Sequence, residues 1–150
     1  MLGWGVVAGP FYVVVALVLA ATRPGFDLSR HALSLLTLGD GGIWQTVNFA
    51  LTGAMVVVAG WGMVRAIEGR GRSAGIAVIV AGAAIAFAGI LRPDPMGGFP
   101  EGTEETATVS GILHLVVGVV EFVALAVSAV LVSRFFRTRS ERSSAAWSMT

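Results

Sequence analysis

Four long apolar runs decide what this chain can become. They cover residues 2–22, 43–64, 73–91 and 106–133, and the one charged residue inside them is Glu121. About 20 apolar residues suffice to cross the hydrocarbon core of a bilayer. The backbone finds no water there, so each run must satisfy its own amides as a helix. Of the 150 residues only 13% are charged, against roughly 25% in soluble domains. The reading is an all-α polytopic transmembrane helix bundle, one domain over residues 1–150, with the lipid bilayer as its first partner. The first run lacks the basic leader of a secretory signal, so it is read as an uncleaved span.

Charge placement orients the bundle. Arg65, Arg70 and Arg72 follow the second run, and Arg134, Arg137, Arg139 and Arg142 lie in the tail 134–150; Arg23, Arg30 and Arg92 occupy the other two connections. Positive residues mark the cytoplasmic side. The expectation is therefore a multi-pass protein of the cell membrane with both termini cytoplasmic and the acidic stretch at Glu101, Glu104 and Glu105 outside. The chain has no cysteine, which excludes disulfides, thiolate chemistry and Cys-based zinc sites. A net charge of +1 gives no ground for a nucleic-acid partner, and no motif calls for a cofactor.

Local patterning adds three expectations. Leu28, Ala32, Leu35 and Leu36 fall at helical spacing, and Asp27 stands where a cap would. A short helix over 28–36 is predicted, flat on the outer interface or tucked over the bundle. Gly5 with Gly9, and Gly75, Gly82 and Gly89, are handles for close helix packing. Pro10 should bend or loosen the first span. Arg23-Pro24 and Arg92-Pro93 end the first and third runs alike, which fits either a duplicated two-helix unit or two similar helix stops.

The string Arg23-Pro24-Gly25-Phe26-Asp27-Leu28-Ser29-Arg30-His31-Ala32-Leu33-Ser34 leads into Gly39-Asp40-Gly41-Gly42, then Gln45 and Asn48. Further on come Arg92-Pro93-Asp94-Pro95, Gly98-Phe99-Pro100, and Gly111 with His114. Together these resemble a bacterial membrane family known as domain of unknown function 998. The resemblance runs in the same order from the first span to the fourth and implies topology and recurrent polar positions, not an activity. It also implies a longer bundle, so this chain reads as a truncated or short form, with Trp147 and Ser148 approaching a fifth span.

Candidate chemistry gathers in two places. Gly111, His114, Gly118, Glu121, Leu125 and Ser128 alternate by three and four and so share one face of the fourth span. A carboxyl at bilayer depth is costly unless neutral, paired or wetted, so Glu121 is expected to face the interior and be protonated near neutral pH. The plainer alternative makes it interhelical glue, hydrogen-bonded to a Ser, a Thr, Asn48 or Gln45 on a neighbouring helix. On the outer side Arg23, Asp27, His31, Arg92, Asp94 and His114 form the second group. There Arg23 or Arg92 is expected to pair with Asp27 or Asp94, or to hold an anionic lipid headgroup. No spacing supports a metal site, and no nucleotide loop, nucleophile elbow or zincin motif occurs.

Three functions compete. One is a protein binding a lipid headgroup or small ligand at an outer-face polar pocket, with Glu121 as a buried acid. The second is an assembly subunit whose polar face docks a second copy or missing helices. The third is a membrane-embedded enzyme acting on lipid with His114 or His31 as base. The absence of catalytic motifs favours the first two.

Overall fold

The computed structural model describes residues 1–67 and 70–138. Within them the chain forms α1 (Gly3–Thr22), a five-residue 3-10 segment (Leu33–Thr37), α2 (Gly42–Ala66), α3 (Arg70–Ile90) and α4 (Val109–Thr138). No strand occurs among the described residues. All four α-helices are long and apolar enough to cross a membrane. Their large side chains point outward, as Val6, Val14, Phe87, Leu115 and Phe122 do, while alanine dominates the buried apolar set. That inversion suits a helix bundle whose solvent is lipid, and it makes this a membrane protein. Most of the tail, including Arg139, Arg142, Trp147 and Ser148, lies outside the described residues.

Small residues dictate how the helices approach. A Cβ built on Gly53 would lie 2.6 Å from the carbonyl oxygen of Gly82, and one on Gly60 would lie 2.8 Å from that of Gly75. Each step of seven residues is two helical turns, so the two glycine rows run antiparallel along one shared face. Lipid supplies no hydrophobic drive between helices, and close backbone contact takes its place. The pair Gly5 and Gly9 divides its labour: a Cβ on Gly5 would sit 3.1 Å from that of Ala59, whereas one on Gly9 would meet nothing within 4 Å.

Polar contacts hold α1 to α2. Asn48 Nδ2 donates to the Tyr12 carbonyl (3.1 Å) and to Gln45 Oε1 (3.1 Å), and Gln45 Nε2 donates to the Tyr12 hydroxyl (3.3 Å) and the Leu33 carbonyl (3.3 Å). Gln45 and Asn48 are essentially inaccessible, so their amides would be orphaned without these partners. The helix continues through Pro10 without interruption.

The predicted helix over 28–36 is replaced by two shorter devices. Asp27 closes a turn through His31, whose amide donates to the Asp27 carbonyl (2.8 Å). Ala32 is then extended, and the 3-10 segment follows. No single helix could do both jobs required here. Leu35 and Leu36 are buried over the bundle, while Leu28 stays 57% exposed.

The four α-helices pack in chain order. α1 contacts α2, α2 contacts α3, and α3 contacts α4, but among the described residues α1 and α4 make no contact. The result is an open arc. Its concave side carries the cavity described next.

Candidate functional site

Most of the outer polar residues are consumed by the loops that join the helices. Asp27 Oδ1 accepts from the Ser29 amide (2.8 Å) and hydroxyl (2.7 Å). These bonds hold its carboxyl below the usual carboxylate range, the hydroxyl contributing most. His31 accepts at Nδ1 from the Asp27 amide (2.9 Å), so its Nε2–H donates to the Gly97 carbonyl (3.1 Å). Both ring nitrogens are thereby committed. The ring also clusters with Phe26 and Phe99, whose centroids lie 5.3 and 5.4 Å from it and 5.1 Å from each other. Gly97 and Gly98, with φ of 67° and 83°, form the centre of the tight turn in which Met96 and Phe99 exchange backbone hydrogen bonds. Positive φ at both central positions is what such a turn demands.

Asp94 is spent on α4. It accepts from the Thr108 amide (3.0 Å) and hydroxyl (2.6 Å), and Thr108 Oγ1 in turn accepts from the Gly111 amide (3.1 Å), capping the helix. The Thr108 hydroxyl, then its amide, keep the Asp94 carboxyl below the usual range. A Cβ on Gly111 would collide with that carboxylate. Arg23 Nη2 donates to the Leu36 carbonyl (3.1 Å), tying the end of α1 to the 3-10 segment. Arg92 is exposed.

The expected pairing of Asp27 or Asp94 with Arg23 or Arg92 is therefore not formed. Each carboxylate takes donors from a serine or threonine within its own loop, which spares the entropy of fixing a long arginine side chain. Of the seven candidates, only His114 and Glu121 line a common cavity. Arg23, Asp27, His31, Arg92 and Asp94 lie outside it.

That cavity has a volume of about 580 Å³. α2 and α3 form its floor with Phe49, Thr52, Val56, Ile85 and Ala88; Ala32, Leu33 and Ser34 roof it; α1 and α4 wall it on either side. His114 is 7% exposed, and its Nδ1 lies 2.7 Å from the Leu91 carbonyl and 3.1 Å from that of Ala88. Carbonyls only accept, so Nδ1 carries a proton, and in the neutral ring Nε2 keeps a lone pair. Among the described residues no side-chain nitrogen or oxygen is both sealed and unpartnered. His114 Nε2 has no partner, hence it is not sealed, and the residue lines the cavity.

Glu121 is half-buried, and its carboxyl makes no hydrogen bond among the described residues. Gln45 and Asn48, its expected glue partners, are engaged with Tyr12 and Leu33 instead. Tyr12 of α1 lines the same cavity. Tyr12 accepts from Gln45, leaving its own proton free to donate. Sequence reasoning passed over Tyr12, although the single tyrosine of the chain in an apolar span was a usable signal. His114 and Glu121 stand seven residues apart, about 10 Å along the axis. Gly118 lies between them, and a Cβ there would meet nothing within 4 Å.

No group of three metal-ligating side chains occurs among the described residues. No curated protein and no solved structure matches the chain. A family model does: residues 6–150 match the one described as a protein of unknown function, and with nearly the whole chain covered the protein belongs to that family, DUF998.

Proposed function

We propose that this protein binds a small amphiphilic molecule in the cleft between α1 and α4. One observation carries the reading. Three polar residues, His114, Tyr12 and Glu121, line a mostly apolar cavity of about 580 Å³. Ligand sites have this character, a mostly apolar concavity with a few placed polar groups. A lipid headgroup held by outer arginines is the weaker version, because those arginines lie elsewhere. The orientation that accompanies the reading places both termini in the cytoplasm, on the arginine distribution.

The assembly reading draws on the same open edge. A helix of a second copy could lie between α1 and α4, and it would cover the same polar groups. The lipid-acting enzyme gains less: His31 has both nitrogens committed, and His114 stands too far from Glu121 to share a proton with it directly.

The test uses 1-aminoanthracene, an uncharged fluorophore that brightens in apolar cavities, with protein in lipid nanodiscs. Saturable binding is expected above the background of protein-free discs. Gly118→Leu should weaken it by about tenfold, equivalent to about 1.4 kcal/mol, because the new side chain enters the cavity. Equal binding by the two proteins would remove the cleft as the site. A change of oligomeric state in Gly118→Leu, seen by light scattering, would favour assembly instead.

A further inference from the structure

We propose that the occupant is a lipophilic cation, taken up in exchange for the proton of Glu121. This rests on the cleft being a binding site, as proposed above, and assigns the charge of what it takes. The argument begins with hydrogen-bond polarity. His114 offers the cavity an acceptor, since its one proton is held on Nδ1 by the carbonyls of Ala88 and Leu91. Glu121 offers a second acceptor. Tyr12 is the one donor of the three.

Charge narrows the choice further. The titratable groups facing Glu121 are Tyr12 from α1 and His114 from its own helix; α2, α3 and the roof contribute no charged or titratable side chain to the cavity, only Thr52 and Ser34. An ionised carboxylate in apolar surroundings without a counter-charge is strongly disfavoured. Two states escape that cost: the protonated acid, and the carboxylate with a cation against it. Both leave the cleft neutral. In passing from one to the other the acid O–H bond breaks, one proton leaves to water and one cation enters, so charge balances with no other bond changed.

The walls say what kind of cation. Phe49, Val56 and Ile85 line the same cavity with hydrocarbon and an aromatic face, which suit the body of an organic cation. A small inorganic cation needs several oxygen ligands, and the cavity supplies one carboxyl. Access fits as well. Gly9 on α1 and Gly118 on α4 have open space where a Cβ would be, so these cavity-lining glycines serve no close helix contact and leave room in the cleft. His114, more than nine-tenths buried with a free acceptor, marks the same space independently.

Tetraphenylphosphonium and tetraphenylborate share one shape and carry opposite charge, which isolates the electrostatic question. Binding of each to nanodisc-embedded protein is measured by equilibrium dialysis, with protein-free discs subtracted. At about pH 8 the phosphonium should bind at least about tenfold tighter than the borate. Its affinity should fall on acidification as the proton competes. Where the acid is protonated, each phosphonium bound should release close to one proton to a weakly buffered indicator dye. Glu121→Gln should abolish the preference for the cation. Borate binding as tight as phosphonium, or phosphonium binding independent of pH and without proton release, would overturn the exchange. If 1-aminoanthracene still binds in that event, the cleft stands and only its charge assignment falls; if it does not, both readings fall together. Should Glu121→Gln fail to fold, the charge pair and the proton count decide on the unaltered protein.

Discussion

Thr108 caps α4 with its hydroxyl and at the same time donates to Asp94, so one side chain locks the loop after α3 to the start of α4. Thr108→Ala should cost about 1 kcal/mol, the usual value of a lost cap, read as a lower unfolding temperature in detergent. Asp94 and Asp27 have folded-state pKa values below their unfolded ones. Their stabilisation is therefore fully present above the unfolded value of about 3.9 and is lost as pH falls through the folded value. The unfolding temperature should drop on acidification below about pH 4, and Asp94→Asn should flatten that drop. An unchanged profile in Asp94→Asn would show that the capping bonds contribute no pH-dependent stability. At this scale the sequence was only partly legible. The polar positions stood out from their apolar setting, but partner choice was legible only at Asp27, whose bond to Ser29 is a local Asx turn, and not at Asp94, which Thr108 reaches from the far end of a loop. Glu121 was visible as a lone charge; the tautomer of His114 depends on the free carbonyls ending α3, which only the fold brings near.

Helix pairing rests on a different kind of residue. Gly53 and Gly82 touch backbone to backbone, so Gly82→Val must force α2 and α3 apart. A loss on the order of 2 kcal/mol is expected, in the range of overpacked interiors, and would appear as earlier thermal unfolding. Gly9→Ala is the matched control: its added methyl meets nothing, and alanine's better helix propensity should leave stability equal or slightly higher. If both variants unfold alike, the glycine rows are not what sets the α2–α3 distance. The four helices were readable from the apolar runs to within about five residues at their ends, since a run of about 20 apolar residues is what a bilayer selects for. The segment over 28–36 misled because its leucines recur at helical spacing, yet Leu28 and Leu36 end on opposite sides of the interface between bundle and surroundings.

Orientation belongs to the molecule as a whole. Among the described residues Arg65, Arg70, Arg72, Arg134 and Arg137 fall at the end of the bundle where α1 begins, and Arg23, Arg30 and Arg92 at the other. Single cysteines placed at Ser73 and Thr103, in a chain that has none of its own, report the two faces to an impermeant maleimide. Thr103→Cys should label in intact cells and Ser73→Cys only after permeabilisation; the opposite pattern would invert the topology. The arc arrangement has a consequence for how such a molecule is made. Each helix packs only on its neighbours in sequence, so contact order is low and no helix must wait for a distant one to be synthesised. α2 meets α1 on arrival, α3 meets α2, and α4 meets α3. Assembly can follow the growing chain step by step, and α4 joins the edge of an array already formed.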